Sequence, residues 1–396
     1  MSPLAVRRIV LGIATPVIAL VMAFAVVWII LEISGFDGWG VFHNMFTTGT
    51  EDRYVARAIN RAVPYFFAGC AVAVGFRMAL FNIGVEGQYR IAGLFAAWLG
   101  AQVNLPAVFE ISLIVLTSVV VGAAAAALPA VLKVTRNVNE VVSTIMLNFI
   151  YGGVGTWLLI TYLRDKHAHT VSTQTKALPH SAYFPAADKV LNGIGFQVPK
   201  TDPITGLLFV AIVLGILLHL LIKRTRFGFE LRATGLNPVA AAANGVNAKA
   251  MVIKGMVLSG ALAGFVGLPE LLSNTHMFVG ETFPQQLGFT GIAVALLGRN
   301  SPLGIGLGAL LFGFLDVTTG SLQLSFNPKL KIPNEMALVM QGSILLAVVI
   351  TYEVVRRLEL RWQGRAVARA AERLAGETGG EPGEPATSTG SAGGER

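Results

Sequence analysis

The sequence predicts an all-α polytopic membrane protein, and three observations indicate this class. The chain of 396 residues is 54% hydrophobic and only 13% charged, whereas soluble domains carry nearer a quarter charged residues. Apolar stretches long enough to form membrane helices recur along most of its length. The 44 glycines and the long alanine runs favour close helix packing in lipid, where small residues let backbones approach.

Apolar runs of roughly 20 residues predict about ten transmembrane helices. The first run follows Arg7 and Arg8, is too long for a signal-peptide core and has no A-x-A cleavage site after it, so we expect an uncleaved span. Two runs, 86–103 and 285–299, are short, and each is compatible with a half-span or a re-entrant segment. The predicted spans are 9–33, 60–81, 86–103, 106–132, 138–162, 205–223, 251–272, 285–299, 302–322 and 336–356.

The distribution of arginine and lysine orients these spans. With the N-terminus in the cytoplasm, an alternating count places most basic clusters inside, and an even number of spans puts the C-terminus inside as well. We expect a transmembrane domain over 1–362, with a long extracytoplasmic loop at 163–204 and a cytoplasmic segment at 226–248. The remaining residues, 363–396, form a polar tail without large apolar side chains beyond its start, and we expect it to be largely disordered.

Several chemistries are excluded by what the sequence lacks. No G-x-x-x-x-G-K-[ST] occurs, so the chain should not bind ATP through a P-loop. Its single cysteine, Cys70, excludes an internal disulfide and any multi-cysteine zinc site, and its six histidines are scattered. The net charge is +8, but the basic residues lie mostly at predicted helix ends, where they set topology, and do not indicate nucleic-acid binding. We therefore expect no catalysis, metal, cofactor or nucleic-acid partner for the chain itself.

Two polar segments interrupt the apolar pattern near the predicted spans. In N-I-G-V-E-G-Q, Asn82 and two glycines should break the helix, while Glu86 and Gln88 begin the next one. In N-E-V-V-S-T-I-M-L-N, Asn139 should cap a helix that carries Asn148 into the membrane. Each segment reads equally as a well-capped turn or as part of a polar pathway, in which Asn148 is expected to face the solute and Glu86 to brace the break.

A third segment, 227–246, is polar and rich in helix stop and start signals. Gly228 is expected to end one element, and Gly235 to take the left-handed position after a short helix. Asn237 should cap a second helix with Pro238 at its first position. Two short helices would form a rigid knob at the cytoplasmic face, on which a soluble partner docks. The residues expected to couple to that partner are Glu230, Arg232, Ala233, Gly235, Asn237, Pro238 and Gly245.

Together with G-F-T-G-I-A-V-A-L-L-G-R-N-S-P-L-G at 288–304, these segments resemble the permease subunits of ATP-binding-cassette (ABC) importers. The likeness is to the simple sugar and nucleoside branch of the branched-chain amino acid and ribose-type permeases. The shared patterns are N-I-G-x-E-G-Q, N-E-V-x-x-x-I-M-L-N, E-x-R-A-x-G-x-N-P-x-A-A and G-x-x-G-I-A-V-A-L-L-G-x-x-x-P-x-G. Their order covers roughly residues 60–355, and the long 163–204 loop is more similar to the nucleoside type.

The resemblance implies a mechanism and a set of partners. Two permeases, identical or more often different, enclose a pathway in the bacterial inner (plasma) membrane and contact its lipid. A separate ABC ATPase subunit clasps the knob, and a lipid-anchored extracytoplasmic binding protein delivers a nucleoside or a simple sugar. Two other readings remain open: a proton- or sodium-coupled secondary transporter using Asp316, and a membrane enzyme, which the absence of a catalytic constellation disfavours.

Overall fold

A computed structural model describes residues 18, 21–166, 168, 172–193, 195, 198–333, 335–351, 353–355 and 357. The tail predicted at 363–396 and most of the first half of the span predicted at 9–33 lie outside the described residues. The first α-helices are α1 (Val21–Ile33), α2 (Gly38–Gly49), α3 (Asp52–Phe76), α4 (Val85–Gly100), α5 (Ala107–Arg136), α6 (Glu140–Leu158) and α7 (Asp188–Gly193). They are followed by α8 (Leu207–Arg224), α9 (Arg226–Leu236), α10 (Pro238–Ala243), α11 (Ala248–Ala263), α12 (Leu287–Leu297), α13 (Pro302–Leu322) and α14 (Glu335–Val355).

The prediction of an all-α protein with membrane-length helices is confirmed. By length and composition, six helices of the described residues qualify as candidate spans: α3, α5, α8, α13, α14, and α6 with its π-helical continuation to Leu163. The helices α4 and α11 have 16 residues each and α12 has 11, so α12 extends only about 16 Å. The number of ten spans and the orientation of the termini stay predictions.

Residues 23–347 form one compact unit. Within residues 23–347, α3 is the central helix, because it packs against α11, α12 and α13. Its buried face carries small side chains, including Ala68 and Gly69. These let α12 and α13 approach closely: an added Cβ on Gly69 would lie 2.7 Å from Ile305 and 3.1 Å from Val294.

The helices α5 and α11 also approach each other closely through their backbones. Ser118 on α5 donates a hydrogen bond of 2.7 Å to the carbonyl of Gly264, immediately after α11. An added Cβ on Gly122 would meet the carbonyl of Gly260 and lie 3.1 Å from the amide of Gly264. Such contact requires residues without side chains on both helices, which explains the glycine content that the sequence displays.

The long loop between α6 and α8 is tied to two other parts of the fold. Its backbone pairs with the segment before α12 through Thr175 N to Phe278 O (2.9 Å) and Leu178 N to His276 O (2.8 Å). At its far end, Asp202 accepts from Arg57 at 2.5 Å. The described part of this loop is therefore anchored to the start of α3 and to the 275–286 segment rather than being a free connection.

We predict that Gly260→Val destabilises the protein through overpacking, because the new side chain would press on Ala126 and on the carbonyl of Gly122. The expected cost is about 1–3 kcal/mol, measured as a lower thermal midpoint in detergent. Gly153→Val in α6 is the matched control, since nothing lies within 4 Å of a Cβ added there. Equal midpoints for the two variants would contradict the packing account.

Candidate functional site

The break between α3 and α4 lies at the predicted N-I-G-V-E-G-Q segment. Helix α3 ends at Phe76 and α4 begins at Val85, so eight residues of non-helical backbone separate two largely buried helices. Within it, Ala79 has a φ of +54°, a left-handed conformation that is uncommon for residues other than glycine. The predicted helix break is confirmed, and its free backbone groups require partners.

Asn82 accepts a hydrogen bond from the backbone N–H of Gly84 in the break, and its side chain also pairs with that of Gln88. The Asn82 amide nitrogen donates to Gln88 Oε1, and the Gln88 amide nitrogen donates to Asn82 Oδ1, both at 3.0 Å. Asn82 also donates to Ser259 Oγ at 2.9 Å, and Ser259 in turn donates to the carbonyl of Ala71 at 2.6 Å. Both amide side chains are 1% exposed, so this pair joins the break to α11 and α3 away from solvent.

Glu86, in the first turn of α4, caps a different helix from its own. Its Oε1 accepts from the backbone N–H of Gln286 at 2.9 Å, and its Oε2 accepts from that of Gly288 at 2.9 Å. These amides open α12, where Gln286 has a φ of +64° and makes no side-chain cap of its own. A carboxylate accepting two N–H groups at a helix N-terminus is a favourable charge–dipole arrangement.

Tyr89 lies one turn beyond Glu86 and contacts both the carboxylate and the chain before α12. Its hydroxyl lies 2.9 Å from Glu86 Oε1 and 2.7 Å from the carbonyl oxygen of Pro284. The first turn of α4 therefore holds the 284–288 segment at three points. Because Gln286 is separated from Glu86 by 200 residues, this junction depends on tertiary structure.

Asn148 on α6 braces the same junction from the opposite side. Its Oδ1 accepts from Gly87 N at 2.9 Å, and its Nδ2 donates to Ile83 O at 2.9 Å. The predicted cap of this helix is confirmed, since Asn139 Oδ1 accepts from Val141 N and Val142 N. The structure thus brings the four predicted pathway residues into one cluster, which we call the polar junction: Asn82, Glu86, Gln88 and Asn148.

Two further residues that hydrogen-bond to the polar junction were not predicted from the sequence. Tyr89 and Ser259 are buried and hydrogen-bond to Glu86 and Asn82, respectively, yet neither belongs to a recognisable local motif. A lone serine or tyrosine at such a position gives no local signal, since interhelical hydrogen bonds of this kind are common in membrane proteins. Their alignment with Asn82 and Glu86 emerges only when α4, α11 and α12 pack together.

The predicted knob consists of α9 and α10. Asn237 accepts from Val239 N and Ala240 N with Pro238 at the first position, as predicted. Two glycine assignments were wrong. Gly228 lies inside α9 rather than ending an element, because Thr225 caps that helix by accepting from Gly228 N. Gly235 is also helical, and the left-handed glycine is Gly245, with a φ of +82°.

Gly235 is required for close contact rather than for a turn. A Cβ there would meet the carbonyl of Arg77 and lie 2.7 Å from Met78 Cα, so α9 rests on the first residues of the break. The Arg77 side chain in turn donates a hydrogen bond of 2.6 Å to the carbonyl of Asn300. The knob and the polar junction are therefore connected through the backbone of residues 77–84.

The opposite surface of the knob is exposed and mixed in character. Leu236 and Val239 are 88% and 80% exposed, while Glu230 accepts from Arg226 at 2.7 Å. Arg232 donates to the carbonyl of Ile222, which fixes α9 against the end of α8, and Ala233 is half-buried. Exposed apolar side chains beside charged ones are typical of a protein-binding surface.

Asp316 on α13 belongs to a separate cluster. It pairs with Arg61 on α3 and lies 3.2 Å from the hydroxyl of Tyr65. The carboxylate is thereby held by two partners and joins α13 to α3. A proton or sodium carrier needs an ionisable group that exchanges with solvent and cation during transport, whereas this carboxylate is already engaged by an arginine.

The chain belongs to the family described as the branched-chain amino acid transport system permease component, which matches residues 54–349. NupP of Bacillus subtilis (strain 168), a guanosine ABC transporter permease, is 30% identical over 342 residues, 86% of this chain and 93% of NupP. NupB of Lactococcus lactis subsp. cremoris (strain MG1363), a nucleoside ABC transporter permease, is 30% identical over 85% of this chain and 90% of NupB.

TsgB13 of Haloferax volcanii, a glucose ABC transporter permease, is 31% identical over 351 residues, 88% of this chain and 89% of TsgB13. No solved structure matches the chain. With its apolar helices, the family membership makes this a multi-pass membrane protein and a transport component. The resemblance inferred from the four sequence motifs is confirmed.

We predict that Glu86→Gln loosens the start of α12, because the amide presents an N–H₂ group where two backbone donors need acceptors. Hydrogen bonds to a charged group contribute about 1.5–3 kcal/mol, so the thermal midpoint should fall and proteolysis at 284–288 should rise. Glu281→Gln, in the same segment but exposed, should leave both measurements unchanged. Identical behaviour of the two variants would contradict the capping role.

Proposed function

We propose that the chain is a transmembrane permease subunit of an ABC importer that moves a nucleoside or a simple sugar across a bacterial inner membrane. Family membership and the three relatives support this function. The observation that carries it is the contact between the exposed knob and the 77–84 turn that starts the polar junction. The surface on which a soluble partner would dock is thus in direct contact with the polar break between α3 and α4.

Energy would come from a separate ATPase subunit, because the chain has no P-loop. That subunit would dock on the cytoplasmic knob, with Leu236 and Val239 as apolar contacts and the Arg226–Glu230 pair beside them. Movement of α9 would reach the 77–84 turn directly, since Gly235 leaves no gap for independent motion. The coupling residues predicted from the sequence keep this role in the proposal.

A second permease would complete the pathway. Bacillus subtilis and Lactococcus lactis each have another permease, NupQ and NupC, that match this chain over only 64% and 65% of its length. This chain corresponds better to NupP and NupB, which favours a heterodimer with a partner of the other kind. An extracytoplasmic, lipid-anchored binding protein would deliver the solute on the side of the 163–204 loop.

The polar junction would form part of the wall of the translocation pathway. A nucleoside or sugar needs hydrogen-bonding groups, because leaving its hydroxyls unsatisfied in an apolar tunnel costs a few kcal/mol each. Asn82 and Gln88 already satisfy each other. The solute would therefore meet Asn148, which is only half-buried and whose amide keeps one N–H and one lone pair beyond its bonds to Gly87 and Ile83.

The secondary-transporter reading using Asp316 receives less support. The relatives of this chain are ABC permeases, and the Asp316 carboxylate is engaged by Arg61 and Tyr65. ATP dependence of uptake separates the two mechanisms directly. Transport driven by a proton or sodium gradient in the absence of any ATPase subunit would overturn the ABC proposal.

We predict that Gly235→Val abolishes ATP-dependent uptake while the protein still reaches the membrane, because a branched side chain collides with the Arg77 and Met78 backbone. Glu230→Ala should weaken coupling, since it frees Arg226 from its partner. The measurements are uptake in proteoliposomes and recovery of the ATPase with tagged permease. Gly152→Val, in open space on α6, is the control, and normal uptake by Gly235→Val would refute the coupling role.

We predict that Asn148→Leu lowers uptake at least about tenfold without disturbing assembly with the ATPase. Leucine leaves Gly87 N and Ile83 O without their partners, and each unsatisfied buried group costs about 1–3 kcal/mol. The control is Asn104→Leu, at an exposed position in the turn before α5. Uptake equal to wild type would remove Asn148 from the pathway.

A further inference from the structure

A cavity of about 740 Å³ lies between α3, the long loop and the segment that precedes α12. We call it the loop cavity. Its walls come from Arg57 and Arg61 on α3, from residues 183–186 and 201–205, and from residues 266–276. Pockets that hold small molecules usually measure about 300–1,000 Å³, so the loop cavity is large enough for a solute. It contains none of the four residues of the polar junction.

The strong cations of the loop cavity are already paired. Arg57 is bound to Asp202 at 2.5 Å, and Arg61 is bound to Asp316. The hydrogen bond from Arg57 lowers the pKa of Asp202, so this carboxylate stays ionised and keeps its arginine occupied at neutral pH. An anionic ligand would therefore find no free arginine, which favours a neutral solute.

One part of the wall is an aromatic stack. The rings of Tyr183 and His276 lie 3.5 Å apart between centroids with an interplanar angle of 9°. His276 holds this position with a φ of +55°, and such left-handed residues cluster at ligand clamps. Burial lowers the pKa of His276, so its imidazole is neutral at pH 7. The ring of His180 also packs against Tyr183, at 4.7 Å between centroids, so this wall is an aromatic cluster suited to a planar ring.

Another part of the wall provides hydroxyl-recognising groups. Glu270 accepts from Asn274 Nδ2 at 3.0 Å through one carboxylate oxygen. Thr205 and Ser273 hydroxyls face each other at 2.8 Å. Carboxylate and hydroxyl oxygens accept hydrogen bonds from sugar hydroxyls, and the carboxylate would repel a phosphate. A neutral ligand with both a planar ring and neighbouring hydroxyls matches the two parts of the wall.

The floor of the loop cavity connects it to the polar junction. Pro284 and Leu287 line the cavity, and the two backbone amides that donate to Glu86 lie on either side of Leu287. Tyr89 contacts the Pro284 carbonyl from below. Any shift of the first turn of α4 would therefore move the floor of the cavity.

We infer that the loop cavity is a holding site for one nucleoside, with the base on the Tyr183–His276 stack and the ribose hydroxyls at Glu270. All the residues that line the site belong to this one chain. This inference rests on the proposed transport function. The nucleoside would be bound here until the cavity floor at 284–288, which Glu86 holds, changes position.

The test measures nucleoside binding by the whole permease–ATPase assembly in lipid nanodiscs, without binding protein. Tritiated guanosine is the probe, with unlabelled GMP and glucose as competitors. Guanosine should bind, and an excess of neither GMP nor glucose should displace it comparably to unlabelled guanosine. Tyr183→Ala should weaken binding at least about tenfold, in keeping with base–aromatic stacking measured by alanine substitution. Glu270→Ala should also weaken it at least about tenfold, because it removes a charged acceptor of hydrogen bonds from the ribose hydroxyls. Tyr183→Phe, which keeps the ring, should bind within about twofold of wild type.

The control is Tyr162→Ala, at an exposed tyrosine that packs edge-on against Trp157 and does not line the cavity; guanosine binding by this variant should equal that of wild type. Should Tyr183→Ala fail to assemble, Glu270→Ala on a different element carries the same expectation. Absent guanosine binding, equal binding by the cavity variants, or displacement by GMP or glucose would overturn the inference. If the wild-type assembly showed no ATP-driven nucleoside uptake, the proposed function would be overturned. Normal uptake without guanosine binding in the cavity would refute this site alone.

Discussion

The Glu86 carboxylate is the constraint on which the arrangement around α3 depends. Helix α12 is short and begins with a left-handed Gln286 that supplies no side-chain cap, so its first amides need an external acceptor. Glu86 provides both oxygens from the first turn of α4. One charged side chain therefore fixes two helix starts against each other, and the packing of α12 on α3 follows from that position.

From Glu86, direct contacts run in two directions. Toward the knob, the 77–84 turn carries Asn82 at one end and the Arg77 backbone under Gly235 at the other. Toward the long loop, Tyr89 and Glu86 hold Pro284 and the amides around Leu287, which form the floor of the loop cavity. A displacement at the knob would therefore be felt at the cavity, because packed interiors transmit strain.

Local sequence rules predicted the parts of this structure that depend on local chemistry. The break at Asn82, the caps at Asn139 and Asn237 and the membrane-length helices all follow from short-range signals. The partner of Glu86 could not be predicted, since it lies 200 residues away. Gly235 was misassigned because a glycine needed for backbone contact and one needed for a left-handed turn look identical in sequence.

The account is tested most directly by hydrogen–deuterium exchange on the reconstituted permease–ATPase assembly, with and without a non-hydrolysable ATP analogue. If the polar junction links the knob to the loop cavity, nucleotide binding should change exchange together in residues 77–88 and 284–291. Glu86 belongs to the first segment and accepts hydrogen bonds from Gln286 N and Gly288 N of the second, so the changes in both segments should have the same nucleotide dependence. A change confined to residues 226–245, with 284–291 unaffected, would contradict the link.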